Sequence, residues 1–404
     1  MKRCVLLLSI LLAACAGDST GPGIPGVASS LPRSGASHVS IATAVRITFA
    51  RDVQLPPDTA NAVWLDQAGS RVAVQVSRPD ARTVLLTPVD ILDPDRVHTV
   101  HIGAGITDRE GVVPASSFDF TTAGRASPAV DADRLVAHVR ALAHDSMQGR
   151  GSLTPFELEA ATYIRTEFGR YGLSAFSGSQ WFQSFTITGM GNSQNVVGVL
   201  RGEGSLRDEW VVIGAHYDHV GVRNGQIYNG ADDNASGTAG LLELARLLAD
   251  YRSDGGFGSE HRRSLMFIAF GAEELGLVGS NLYCREPLVP LSSVAAMINL
   301  DMIGRLQNNT LYLIGENTGL EWAAMVRRYN HSLSFAAMAD AGTDYRCFKQ
   351  AGRPVMSLFT GLHPDYHMPS DDTELLAVPG FTAVAKLALD LAVNTAVRPR
   401  PFTH

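Results

Sequence analysis

The rhythm of apolar and polar positions changes once along the chain. Over residues 34–123, Val45, Ile47 and Phe49 alternate with polar or small neighbours, as do Val72, Val74 and Val76, Val84 and Leu86, Val100 and Ile102, and Phe118 and Phe120. Period-two apolarity buries one face of a strand. Gly69, Pro88, Pro94 and Gly111 punctuate these runs where turns fall. Short strands with frequent turn signals predict a small all-β sandwich. From residue 127 the spacing becomes helical, at 132–143 and again at 155–171. In the second stretch Phe156, Ala160, Tyr163, Ile164, Phe168 and Tyr171 share one face at three- and four-residue steps. Continuous apolar runs follow at 196–200, 210–215, 265–270, 295–300 and 355–359, with helical stretches such as 238–251 and 319–331 between them. This alternation predicts an α/β fold over residues 127–397, a doubly wound, mostly parallel mixed sheet flanked by helices.

Ahead of both units, Met1-Lys2-Arg3 leads into an apolar stretch that ends in Leu12-Ala13-Ala14-Cys15. A basic start, an apolar segment too short to span a bilayer and a small-residue cleavage site predict an export signal over residues 1–14. Leu12-Ala13-Ala14-Cys15 resembles the bacterial lipobox. That resemblance implies lipidation of Cys15 and anchoring of the mature chain to a membrane through a Gly-, Ser- and Pro-rich tether, residues 15–33. The expected location is the bacterial cell envelope. Ala16, in place of Asp, after the cysteine points to the outer membrane where a cell has one. Export to an oxidising compartment would let the two remaining cysteines, Cys284 and Cys347, pair.

Composition narrows the function classes. The 404 residues are 45% hydrophobic and 18% charged, with a formal net charge of −7. Such a chain has ample material for a core and is not a disordered one. It carries no Lys/Arg cluster of the kind that binds nucleic acid. No run beyond the signal approaches the ~18 apolar residues of a membrane span. Four cysteines are too few to build a disulfide scaffold.

The chemistry-bearing residues follow the buried runs. His216, Asp218 and His219 come after 210–215, and Asp232 and Asp233 come a short loop later. Glu273 and Glu274 come after 265–270, Asp301 after 295–300, and His363, Asp365, His367 and Asp371 after 355–359. Open α/β sheets place their sites at the carboxyl ends of strands, so these residues converge on one crevice. Carboxylates gathered there need positive charge among them. Histidines with three or more carboxylates suit a dication, Zn²⁺ most readily. Two such ions would balance three carboxylates and a bridging hydroxide. Taken singly, each residue has a plainer reading, as a polar strand end, a turn or a helix cap; their co-occurrence after successive strands carries the argument. A serine hydrolase is excluded, because the sole Gly-x-Ser-x-Gly match, Gly17 to Gly21, lies in the tether instead of a strand–helix elbow. No His-Glu-x-x-His is present.

The motifs resemble the co-catalytic zinc aminopeptidases, a family that includes bacterial leucyl aminopeptidases and glutamate carboxypeptidases. They are Gly214-Ala215-His216-Tyr217-Asp218, Gly230 to Gly237, Ala272-Glu273-Glu274-Leu275-Gly276, Asn299-Leu300-Asp301-Met302-Ile303-Gly304 and Tyr366-His367-Met368-Pro369-Ser370-Asp371. Met147-Gln148-Gly149-Arg150-Gly151 is similar to the family's N-terminal part, and residues 34–123 resemble bacterial Ig-like domains. The resemblance implies the zinc exopeptidase fold and two zinc ions, with Asp232 bridging both, His216 and Asp301 completing one site, and Glu274 and His367 the other. It implies Glu273 as general base, Asp218 as the group that orients His216, and Asp371 doing the same for His367. The expected substrates are peptides with a free N-terminus. Tyr345, in Thr343-Asp344-Tyr345-Arg346-Cys347-Phe348, stands where the family commonly has His; an oxyanion donor and a wall of the pocket are both open readings for it. Two rival functions remain: a single-zinc enzyme resembling glutaminyl cyclase, and an inactive anchored binding protein.

Overall fold

The computed structural model describes residues 23–39, 43–90, 92–93, 96–122, 128–253, 261–329, 332–339, 342–398 and 402. The export signal, Cys15 and most of the tether lie outside these residues, as does the junction at 123–127. The chain divides into two units, the first ending at Thr121.

The first unit contains two main sheets. One runs Val27–Leu31, Val45–Phe49, Thr83–Pro88, Val74–Asp80 in spatial order, and the other Ala36–Val39, Ser116–Thr122, Val97–Ile102, Val63–Gln67, Ser70–Arg71. The alternating side chains Val45, Ile47, Phe49, Val84, Leu86, Val100, Ile102 and Phe120 are buried, as the period-two pattern requires. One boundary is corrected. Val27–Leu31 pairs antiparallel with Val45–Phe49, although residues up to 33 read as tether. This is an edge strand whose centre is Ser29-Ser30 and whose Leu31 is exposed, so it carries no apolar alternation.

The larger unit is organised by a nine-stranded sheet: β1 (Ser174–Ala175), β2 (Phe182–Ile187), β3 (Gly191–Leu200), β4 (Trp210–His216), β5 (Ser264–Phe270), β6 (Val294–Leu300), β7 (Thr310–Ile314), β8 (Ser334–Ala337) and β9 (Val355–Phe359). The spatial order is β1-β3-β5-β4-β6-β9-β7-β8, with β2 paired to β3. Only the four central strands β5, β4, β6 and β9 form a continuous parallel block. β3 and β7 join it antiparallel. Parallel pairing is thus concentrated in the middle, where the strands are covered on both faces, and recurs at one edge, where β7 and β8 pair parallel.

Helices cover both faces. α1 (Ala132–Leu142) begins at Asp131, whose carboxylate accepts from the amides of Asp133 and Arg134 at 3.0 and 3.2 Å. α2 (Pro155–Arg170) has Pro at its first position, and Glu157 reaches back to the Leu153 amide at 2.7 Å. α3 (Gly237–Ser253), α4 (Val278–Arg285), α5 (Trp322–Arg328), α6 (Arg346–Gln350) and α7 (Val378–Val397) follow. Alternation along β4 sends Val211, Ile213 and Ala215 into the core shared with α1, α2, α3 and α7, and Trp210 and Val212 into the core shared with α4 and α6. α7 is long and apolar enough to cross a membrane, yet 78% of its apolar window is buried inside the unit, which makes it a core helix here.

A disulfide joins Cys284 of α4 to Cys347 of α6, 63 positions apart in sequence. Closing a loop of that length restricts the unfolded chain. Cys284→Ser, or reduction of the wild type, should lower the unfolding free energy by about 2–4 kcal/mol in urea titrations; an unchanged midpoint would count against a stabilising crosslink.

Candidate metal centre

The parallel block delivers its chemistry to one edge. β4 ends at His216, and β5 runs on into Glu273 and Glu274. β6 is followed directly by Asp301, and β9 by the loop that carries His363 and His367. The strands are nearly in register there, His216 opposite Phe270, Gly214 opposite Asn299, and Leu300 opposite Leu358. Residues just past each end therefore meet. Strain gathers at this edge too: Ala272, Met302 and His367 hold left-handed backbone conformations without being glycine.

Asp233 is the centre of the arrangement. Its Oδ1 lies 3.4 Å from His216 Nε2, and that nitrogen lies 3.6 Å from Asp301 Oδ1. Its Oδ2 lies 2.9 Å from His367 Nε2 and 3.6 Å from His219 Nδ1. Glu274 Oε1 closes the second group, 3.2 Å from His367 Nε2 and 3.0 Å from His219 Nδ1. The atoms fall into two sets that could each hold a metal ion, His216 with Asp233 and Asp301, and His219 with Asp233, Glu274 and His367. Each Asp233 oxygen faces a different set.

The loop that carries Asp233 is held from several sides. Asp371 accepts the amides of Asp232 and Asp233 at 3.0 and 3.1 Å. Asn234, after a cis Asp233–Asn234 peptide, donates to the Leu300 carbonyl at 3.0 Å and accepts the Met302 amide at 3.0 Å. Arg150 is fully buried, and its guanidinium donates to the carbonyls of Tyr217, Leu142, Asn229 and Gly230 at 2.7–3.0 Å. It thus ties the end of β4 to the loop leading into Asp233. Burial lowers its pKa to about 10, and Asp233, Asp218 and Asp371 sustain its charge. Glu157, pushed up to about 7 by burial, accepts Ser193 Oγ and the Ala272 amide and so holds the turn before Glu273.

The electrostatics call for a cation. Burial penalises the Asp233 carboxylate, but His216, His367 and His219 hold its pKa far below the ordinary value. Burial likewise opposes ionised Glu274, which His219 and His367 hold down. Asp233 and Glu274 in turn push His367 up to about 10. Burial raises Glu273, with Asp344, Asp301 and Asp218 crowding it against the pull of His216. Imidazole protons therefore balance buried carboxylates, and metals compete for the same lone pairs. Among the described residues, His219 Nδ1 and Glu274 Oε1 have no hydrogen-bond partner despite their proximity, and both belong to the four-residue set whose donor atoms lie within 4.8 Å of one another. The donor set fits a dication of the zinc type.

Several sequence expectations are redrawn. Asp232, expected as the bridge, is turned away: its Oδ1 accepts Ser236 Oγ at 2.9 Å and the Gly304 amide at 2.7 Å, and its Oδ2 faces His363 at 3.2 Å. Adjacent residues in non-helical backbone point to opposite sides, and here the second of the pair points inward. Asp371, expected to orient His367, instead holds the amides of the Asp232-Asp233 pair. Asp218 meets His216 Nδ1 through its carbonyl at 3.2 Å. Its carboxylate, 3.9 Å from that nitrogen, takes Ser152 Oγ at 2.6 Å and the amides of Glu273 and Glu274 at 3.0 and 3.3 Å. Tyr345 is fully buried in the core with Tyr283 and Phe348 and does not line the cleft. His216, Glu274, Asp301 and His367 are brought together, and Glu273 stands beside them in the cleft. His219 joins them unexpectedly. Its only signal in sequence was its place three residues after His216.

Residues 195–392 match peptidase family M28, and residues 22–122 match a bacterial Ig-like domain. The peptidase match covers 198 of the 404 residues, all within the α/β segment, and is a resemblance to that family. Aminopeptidase YwaD of Bacillus subtilis is 31% identical over 198 residues, 45% of this chain and 40% of its own length. A probable leucine aminopeptidase of Arthroderma otae is 28% identical over 197 residues, 46% of this chain and 54% of its own length. The chain thus spans about half the length of these curated relatives. Among solved structures, a zinc aminopeptidase from Bacillus subtilis superposes with a TM-score of 0.57 at 17% identity, over 67% of this chain and 96% of its own. Glutaminyl cyclase of Porphyromonas gingivalis gives 0.53 at 18% identity, over 64% and 96%. At such identities these structures show a shared fold.

Arg150→Met removes the donors of four buried carbonyls, at about 1–3 kcal/mol for each left unpaired. Chelator-treated protein should lose at least ~3 kcal/mol of stability in urea unfolding. A loss below about 1 kcal/mol would show that the clamp is dispensable.

Proposed function

We propose that the chain is a zinc-dependent aminopeptidase that hydrolyses the N-terminal peptide bond with two metal ions and Glu273 as general base. The observation that carries this reading is Asp233, one carboxylate with an oxygen on each of two adjoining ligand sets. His216, Asp233 and Asp301 would hold one ion, and Asp233, Glu274 and His367 the other. Bound there, the ions would supply Lewis acidity to the scissile carbonyl and acidify a water between them.

Glu273 lines the cleft but belongs to neither ligand set. Its amide is pinned by Asp218 while its neighbour Glu274 faces the imidazoles. Adjacent acids are thereby divided between proton transfer and ligation. Glu273 takes a proton from the attacking water and passes it to the leaving amine as the C–N bond breaks.

The cleft encloses about 280 Å³. Met302, Ile314, Met338, Phe359 and Leu362 give it an apolar wall, and Glu273 and Asp301 an acidic one. An apolar first side chain suits the former and a free α-ammonium the latter, which favours exopeptidase action. The fold alone does not separate this reading from a single-zinc cyclase; the two sets sharing Asp233 favour the peptidase. An inactive binding protein would have no need of both complete sets beside Glu273. The lipobox-like Cys15 and the Cys284–Cys347 disulfide support an enzyme held at the cell envelope by a lipid anchor, with the Ig-like unit as spacer or binding module.

An aminoacyl-p-nitroanilide panel tests the reading. Leu, Met and Phe substrates should be cleaved in preference to Asp and Glu substrates, with activity lost on chelation and restored by Zn²⁺. Glu273→Gln should lower kcat by about 10²–10⁴-fold while keeping the metal. Near-wild-type turnover by that variant would remove Glu273 from the mechanism. Metal analysis should find that Asp233→Asn empties both sites and Asp232→Asn empties neither; the opposite pattern would return the bridge to Asp232.

A further inference from the structure

We propose that His219 is a fourth protein ligand of the second ion, so that the two metal sites are unequal: the His219 site is closed by protein and the His216 site keeps an open face toward substrate. This rests on the paired-ion reading of Asp233. In a tetrahedral zinc site with bonds near 2.0–2.1 Å, neighbouring ligand atoms stand about 3.3 Å apart. Around the second position four of the six separations are 2.9, 3.2, 3.0 and 3.6 Å, near the length of a tetrahedral edge, and all six lie within 4.8 Å. Around the first, His216 Nε2 stands 3.4 and 3.6 Å from the oxygens of Asp233 and Asp301, and three protein atoms contribute among the described residues.

His219 is also built to stay in place. It is 1% exposed and lies behind the cleft, outside its lining. Its amide donates to the Arg150 carbonyl at 3.3 Å, so the Arg150 clamp sets its backbone. Gly230, with φ +57°, lies flat against the ring, and a Cβ there would overlap both the imidazole and the Asp233 carbonyl. His367 packs edge-on from the other side at 5.5 Å between ring centroids. Neither ring nitrogen has a hydrogen-bond partner among the described residues, which is costly for a buried imidazole unless a ligand bond replaces it. Four protein donors fill a zinc coordination sphere, whereas three leave the position that catalytic sites keep for water or substrate.

Metal-stripped full-length protein titrated with Co²⁺, followed by metal content and visible absorption, tests the assignment. Wild type should take up two equivalents. His219→Ala and His219→Asn should bind one equivalent as wild type does and the second at least about tenfold more weakly, with an altered spectrum for that ion as water replaces imidazole. Chelated samples should melt alike, and the Asn variant, which keeps a hydrogen-bond donor, covers a failure of the Ala variant to fold. Wild-type affinity and spectrum in the Asn variant would overturn the ligand assignment and leave His219 as a support for Glu274. A single equivalent in wild type would instead overturn the paired-ion reading on which it rests.

Discussion

Asp233 sits where four parallel strands bring three imidazoles and two further carboxylates to one buried edge, and a carboxylate so placed must be balanced by positive charge. His216, His219 and His367 lie within 3.6 Å of it. The rest of the edge is shaped around that requirement. Arg150 locks the end of β4 to the loop that presents Asp233. Asn234 fastens the same loop to the end of β6, where Asp301 begins. Both sets of donors then depend on a single side chain, whose two oxygens fix how far apart two ions would stand.

The remaining acids are kept from competing with it. Asp371 is occupied by the amides of Asp232 and Asp233, Asp232 by Ser236 and the Gly304 amide, and Asp218 by Ser152 and two amides. Glu157 accepts from Ser193, Leu153 and Ala272. A carboxylate whose lone pairs are committed to backbone N–H groups positions a loop and ligates poorly. Only Asp233, Glu274 and Asp301 present oxygens within 3.6 Å of His216, His219 and His367 among the described residues, and Glu273 lines the cleft outside both ligand sets. A dense run of acids in sequence is thus divided by hydrogen bonding into loop supports and groups that face the cleft and its imidazoles.

Much of this was legible along the chain, and the limits were local. The runs at 210–215, 265–270, 295–300 and 355–359 match β4, β5, β6 and β9 closely, because strands buried on both faces are continuously apolar. Their common carboxyl edge followed from that topology. The choice between Asp232 and Asp233 turns on backbone angles at 233 and 234 that are not helical, and no residue pattern encodes them. His219 was visible only as a histidine after a strand, since its direction depends on the turn clamped by Arg150. β8 is a short, outlying strand without a strong apolar run, and Tyr345 was judged by its motif position when burial in the α4–α6 core decides its surroundings.

The central claim is that Asp233 is shared by two metal ions. Anomalous diffraction at the zinc edge from crystals of the zinc-loaded protein measures this directly. The account predicts two peaks about 3.5–4 Å apart, one between His216 and Asp301, the other between His219, Glu274 and His367, with an Asp233 oxygen bound to each. A single peak, or two peaks with Asp233 bound to only one of them, would contradict it.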